Sequence, residues 1–252
     1  MKKQNKISCR VGVYDSIETA AKHLPLAGIH FAEIPAQPVD ALKKTDAVCR
    51  TNGVTPLTIA GDLNCDDAAS IEAVLTACAA AKAIGVAHYF ISAKGNDRAL
   101  AISVLKRVGE RAAENGVTIC LETHPPFCLN AEEMLRTMRE VSHPNVRINF
   151  DTANIFYYNQ NMDSADELKK IIASVASVHL KDTDGGFKSG NFPVFGRGVV
   201  RFPEIFAALH TNGFSGPLTL EVEGALVTGL DVPSRHAVVT GCMDYLRSIG
   251  EA

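Results

Sequence analysis

The sequence has no CxxC pair, no basic stripe, no glycine-rich or proline-rich linker and no long apolar run, and each absence removes a class of protein. Its seven cysteines, Cys9, Cys49, Cys65, Cys78, Cys120, Cys128 and Cys242, form no zinc or redox spacing, and an odd count leaves at least one thiol unpaired in a monomer. A reduced setting follows, with the thiols acting as small buried hydrophobes. No window approaches the roughly 20 apolar residues of a membrane helix. Met1 to Lys6 carries three lysines, but Arg10 and Asp15 break the run that follows before it reaches secretory length. A cytoplasmic protein without a membrane partner is expected. The formal charge of −3 and pI near 6.2, with scattered lysines and arginines, give no electrostatic footprint for nucleic acid. Hydrophobic residues at 46% against charged residues at 21% supply a buried core and exclude general disorder.

What the sequence does contain is an alternation of strand-length apolar runs and helix-period stretches along its whole length. Strands are expected at Ile7 to Val13, His30 to Ile34, Leu57 to Gly61, His88 to Ser92, Thr118 to Glu122, Arg147 to Phe150, Val175 to Leu180 and Leu218 to Val222. Helices are expected at Ile17 to Leu24, Val39 to Thr51, Asp67 to Ile84, Arg98 to Asn115, Asn130 to Val141, Asp163 to Ile172, Phe202 to Asn212 and Val232 to Leu246. Strict alternation implies a parallel sheet covered by helices, because parallel neighbours need a helical crossover. Eight units in 252 residues match a single (β/α)8 TIM barrel, one domain over residues 1–252. The competing doubly wound sheet lacks a G-x-G-x-x-G after its first strand. The longest irregular piece, Asp182 to Val200, is glycine-rich and follows a strand end, so it is expected to be a mobile loop on the active face.

Four chemically capable side chains close apolar runs in the second half: Glu122, Asp151, His179 and Glu221. Three carboxylates and one imidazole make a hard, oxygen-rich site for a divalent cation. Without a cation, three carboxylates at neighbouring strand ends would repel one another. Glu221 and Glu223 are two apart on one strand, so both can face the same side and either can be the ligand.

Taken in order, Leu121-Glu122-Thr123-His124, Asp151-Thr152-Ala153-Asn154, His179-Leu180-Lys181-Asp182, Gly196-Arg197-Gly198 and Leu220-Glu221 resemble the sugar phosphate isomerase/epimerase superfamily of xylose isomerase-like TIM barrels, over nearly the whole chain. The resemblance implies a divalent metal cation, manganese first, with magnesium, cobalt or zinc as alternatives, held by Glu122, Asp151, His179 and Glu221. It also implies that Glu122 and Glu221 are the catalytic acid/base pair on opposite faces of the sugar, and it favours Glu221 over Glu223 as ligand. Two positions depart from the pattern: Val199 stands where an acid often follows the G-x-G motif, and Asn154 where many relatives carry a histidine.

Further residues are expected to bind substrate. His124 shares the face of Glu122 and can hydrogen-bond a sugar hydroxyl. Lys181 can turn inward to neutralise an enolate oxygen, and Asp182 can orient His179 as an acceptor. Glu33 and Asp62 follow strands two and three at the mouth, and Glu223 is either a substrate contact or a group behind the metal. Phe156, Tyr157 and Tyr158 form a wall for a sugar face, a subunit contact in a homo-oligomer, or simple packing. The expected activity is a metal-dependent isomerase or epimerase of a small sugar or polyhydroxy carbonyl compound, acting through a metal-stabilised cis-enediolate. The alternative is a dehydratase or lyase of the inosose or dehydroshikimate type. Endonuclease IV-type repair shares the superfamily but needs a histidine-rich cluster and a basic groove, neither of which is present.

Overall fold

A computed structural model describes residues 6–252, so the lysines of the first five residues lie outside it. Eight parallel strands close into a barrel in sequence order. They are β1 (Ile7–Arg10), β2 (Phe31–Pro35), β3 (Thr55–Asn64), β4 (His88–Lys94), β5 (Thr118–Glu122), β6 (Val146–Asp151), β7 (Val175–Leu180) and β8 (Leu218–Leu220). Closure comes from β8 pairing with β1, with Ile7 opposite Leu218 and Cys9 opposite Leu220. Because helices cover the outer face and side chains fill the interior, strand residues are buried on both sides: Ile119, Cys120 and Leu121 of β5 are all inaccessible.

The outer helices are α1 (Ile17–His23), α2 (Val39–Thr51), α3 (Ala68–Ala83), α4 (Arg98–Glu114), α5 (Ala131–Val141), α6 (Asn154–Tyr158), α7 (Ser164–Ile171), α8 (Phe202–Thr211) and α9 (Val232–Ser248). Their starts are set by short polar side chains that accept the orphan N–H groups of the first turn: Asp67 for α3, Asp97 for α4, Asn130 for α5, Asp163 for α7 and Asp231 for α9. The spacing of Ala131, Met134, Thr137 and Val141 places one stripe of α5 on the barrel. Among the described residues, no helix is long and apolar enough to cross a membrane.

Three departures from the sequence expectation matter for the mouth. Strand β1 stops at Arg10, and Val11–Val13 turn as a single 3-10 unit, so the Arg10 side chain is delivered to the rim. Strand β8 stops at Leu220, and Glu221 keeps only the hydrogen bond from its N–H to the Leu180 carbonyl. The short helix α6 was not expected. It forms because Asp151 accepts the N–H groups of Ala153 and Asn154 through Oδ1, at 2.7 and 2.8 Å.

Candidate active site

Asp151 ends β6, His179 lies one residue before the end of β7, and Glu221 immediately follows β8. All three are buried, and one donor atom from each lies within 4.8 Å of the others. Glu122, at the end of β5, stands beside this set rather than inside it. Its Oε1 accepts from Asn154 Nδ2 at 3.2 Å, and Asn154 also donates to the Thr123 carbonyl, so Asn154 anchors the fourth carboxylate.

The donor atoms fit a cation. Asp151 Oδ2, His179 Nδ1 and Glu221 Oε2 are buried with no well-aligned hydrogen bond and face one another and the Lys181 ammonium, with His179 Nδ1 3.3 Å and Lys181 Nζ 2.9 Å from Glu221 Oε2, a cluster that a cation would satisfy. Oxygen and imidazole donors suit a hard or borderline divalent ion. The other half of each ligand is already committed: Asp151 Oδ1 caps α6, and His179 Nε2 lies 3.0 Å from Glu33 Oε2. A carboxylate behind a ligating imidazole fixes its tautomer and orientation.

Two sequence expectations are corrected here. Asp182 does not orient His179; Glu33, 2% exposed and expected as a substrate contact, does. Asp182 instead accepts the backbone N–H groups of Thr183, Gly196, Gly198 and Val200, between 2.9 and 3.1 Å, tying both ends of the 182–200 loop to one buried carboxylate. That loop is stapled at its base, and only its outer part is free of these bonds. Gly198 is required, because a Cβ there would collide with the Thr183 carbonyl and the Asp182 carboxylate.

The carboxylates do not repel one another unchecked, as the sequence argument supposed. Lys181 is 4% exposed at its side chain, and its Nζ lies 2.9 Å from Glu221, 2.6 Å from Glu223 and 3.5 Å from Asp151. It turns inward as expected and draws Glu221 and Glu223 together. Phe192, 4.7 Å away, covers it from the loop. Arg10 supplies a second cation, pairing with Glu33 through Nε at 3.2 Å and with Glu221 through Nη1. Sequence reasoning missed Arg10. It closes an apolar run as the quartet does.

These neighbours set the proton affinities. Burial pulls the His179 pKa down, but the charges of Glu33 and Glu221 outweigh it and raise it to about 10. Burial, offset in part by Lys181, pushes Asp151 up to about 7. Burial also works to raise Glu221, yet Lys181 and His179 hold it well below the usual carboxylate range. Glu122 is pushed up, first by burial and then by the charge of Glu221.

His124 sits two residues past Glu122, with Nδ1 against the Pro125 carbonyl at 2.6 Å and its ring edge-on to Tyr158 at 5.0 Å. Tyr157 continues this aromatic wall, 4.8 Å from Tyr158 and 6.4 Å from Phe192. Phe90 of β4 stacks on His179 at 4.4 Å. Asp62 lines the mouth on the β3 side. All seven thiols are buried, and burial pushes Cys120 up to about 12, so none is an activated nucleophile.

An inosose dehydratase from Geobacillus thermodenitrificans (strain NG80-2) is 31% identical over 140 residues, 49% of this chain and 46% of that protein. An L-ribulose 3-epimerase from Methylomonas sp. (strain DH-1) is 28% identical over 51% of this chain and 43% of its own length. The chain thus spans about half the length of the curated relatives it matches. A xylose isomerase domain protein from Planctomyces limnophilus superposes with a TM-score of 0.81 over 98% of both chains at 19% identity, which shows the shared fold. The model of the xylose isomerase-like TIM barrel matches residues 11–248, and the chain belongs to that family.

Proposed function

We propose that the protein is a divalent-metal-dependent isomerase or epimerase of a small sugar or polyhydroxy carbonyl compound. The observation that carries this reading is the buried set of Asp151, His179 and Glu221, one donor atom of each within 4.8 Å of the others, with the Glu122 carboxylate beside it. Glu122, Asp151, His179 and Glu221 would hold the ion, manganese first among manganese, magnesium, cobalt and zinc, and it would supply Lewis-acid polarisation of a carbonyl and its neighbouring hydroxyl.

The chain's own residues do the rest. Glu221 and Glu122 reach the site from β8 and β5, which lie on different walls of the closed barrel, so a substrate between them meets a carboxylate on each face. One removes the proton next to the carbonyl, and the other, or the same one, returns it. The Lys181 ammonium offsets negative charge that builds on the substrate oxygen. His124 and the tyrosines beside it border the sugar, while Glu223 accepts from a hydroxyl at the rim.

The inosose dehydratase relative favours a second reading, in which the same proton leaves first and a β-hydroxyl follows it as water. Both readings require hydrogen exchange next to a carbonyl. The test is deuterium wash-in by NMR on metal-loaded protein, with metal content measured by elemental analysis on the same sample. General acid–base assistance contributes roughly 10²–10⁴-fold, so Glu221→Gln and Glu122→Gln should each slow exchange by at least that order. Wild-type exchange rates in both metal-loaded variants would reject the two-carboxylate mechanism.

A further inference from the structure

Arg10 ends β1, the strand that lies between β2 and β8 in the closed barrel. Register sets it opposite Glu33 of β2, and on the other side it stands one step past the Cys9 and Leu220 pair, level with Glu221. Its guanidinium therefore falls between two buried carboxylates. Nε lies 3.2 Å from Glu33 Oε1, and Nη1 donates to Glu221 Oε1. The same charge lies over the Phe90 ring, 5.5 Å from its centroid.

Each of these partners touches His179. Glu33 places its other oxygen, Oε2, 3.0 Å from His179 Nε2, Glu221 places Oε2 3.3 Å from Nδ1, and Phe90 stacks on the imidazole at 4.4 Å. Arg10, Glu33, His179 and Glu221 thus form a closed ring drawn from β1, β2, β7 and β8, in which each carboxylate gives one oxygen to Arg10 and turns the other toward the imidazole. Lys181 plays a different part: its ammonium meets Glu221 at Oε2, the inward oxygen that a metal ion would take, whereas Arg10 meets the outward one. A planar guanidinium with fixed N–H directions can hold two carboxylates at a set angle, which an ammonium on a flexible stem cannot.

We propose that Arg10 is a positioning residue of the metal site: by holding Oε1 of Glu221 and Oε1 of Glu33, it limits Glu221 to one metal-facing oxygen and sets the His179 ring through Glu33 and Phe90. Asp151 is limited in the same way by backbone, since its Oδ1 accepts the N–H groups of Ala153 and Asn154. Carboxylates restricted to one oxygen each leave room at an ion for substrate oxygens. The inference rests on the metal-dependent reading above and assigns the residue that shapes that site from behind.

Arg10→Lys keeps the charge and loses the fork, and Arg10→Gln loses both. Cobalt-loaded wild type and variants are compared by visible absorption, whose bands report the number and arrangement of ligands, and cobalt affinity of wild type and Arg10→Lys is measured by chelator competition. Losing a partner that supports metal ligands costs about 10–100-fold in metal affinity, so Arg10→Lys should weaken binding by that much, and the bands of both variants should shift. Metal-free melting temperatures are taken alongside, because a residue that only braced the barrel would lower them and leave the bands as in wild type. Wild-type bands in Arg10→Lys, whatever its affinity, overturn the inference and leave the metal site standing; where that variant does not fold, wild-type bands in Arg10→Gln do the same. Wild-type protein that takes up no divalent ion rejects the metal-dependent reading itself, and the inference falls with it.

Discussion

Replacing Lys181 by Met removes a cation while nearly keeping the stem of the side chain, and the structure gives the two consequences opposite signs. In the metal-free protein the ammonium is the closest cation to Asp151 and lies 2.9 Å from Glu221, so its loss leaves two buried carboxylates short of a counter-charge. Removing one partner of a buried pair costs about 3–5 kcal/mol, and the half-exposed Glu223 contact adds little. At about 2–4 °C per kcal/mol for a chain of this size, the metal-free melting temperature should fall by about 6–12 °C at the lower end of that range. A divalent ion at the same carboxylates no longer competes with the ammonium, so its affinity should rise, by at least about tenfold or ~1.4 kcal/mol. Differential scanning calorimetry with and without manganese, and titration calorimetry on wild type and variant across about pH 8 to 9, because losing the ammonium raises the Asp151 pKa above its value of about 7, read both quantities. A variant with unchanged metal-free stability and weaker metal binding would refute the view of Lys181 as a built-in counter-cation.

Metal uptake should expel protons: His179, raised to about 10, must lose one before its nitrogen can bind, and Asp151, raised to about 7, loses another at lower pH. Apparent affinity should therefore rise by about tenfold per pH unit between pH 7 and 10 and more steeply below 7, and titration in buffers of different ionisation enthalpy should detect the protons; a flat profile from pH 6 to 9 would refute it. Asp182→Ala deletes the acceptor of four backbone N–H groups, so limited proteolysis should cut residues 182–200 much faster than in wild type while the barrel stays folded; an unchanged cleavage rate would show that the loop is held by other contacts. Gly198→Ala should loosen the same loop through its clash with Thr183 and Asp182, and a melting temperature and cleavage rate equal to wild type would contradict that geometry. Phe150→Ala, at a fully buried barrel position, should cost about 3–5 kcal/mol in chemical denaturation, and a loss under 1 kcal/mol would mean that the interior repacks around it.

The barrel was legible in the chain because its signals are local. Apolar runs of strand length, polar caps such as Asp97 and Asn130, and glycine stops such as Gly85 act within a few residues, and eight βα repeats leave few topologies. Strand direction likewise places Glu122, Asp151, His179 and Glu221 at one end of any parallel barrel, and the structure brings donor atoms of Asp151, His179 and Glu221 within 4.8 Å of one another. Which group faces which was decided only by the tertiary structure. Glu33 meets His179 across 146 positions of sequence, and Arg10 meets Glu221 across 211; no local pattern encodes such a pairing. The role of Asp182 was misread for the same reason, because its partners sit 14 to 18 residues away in a loop without periodicity. Closing the barrel brings the ends of β1, β2 and β8 together, and charge balance among side chains so distant in sequence exists only after that closure.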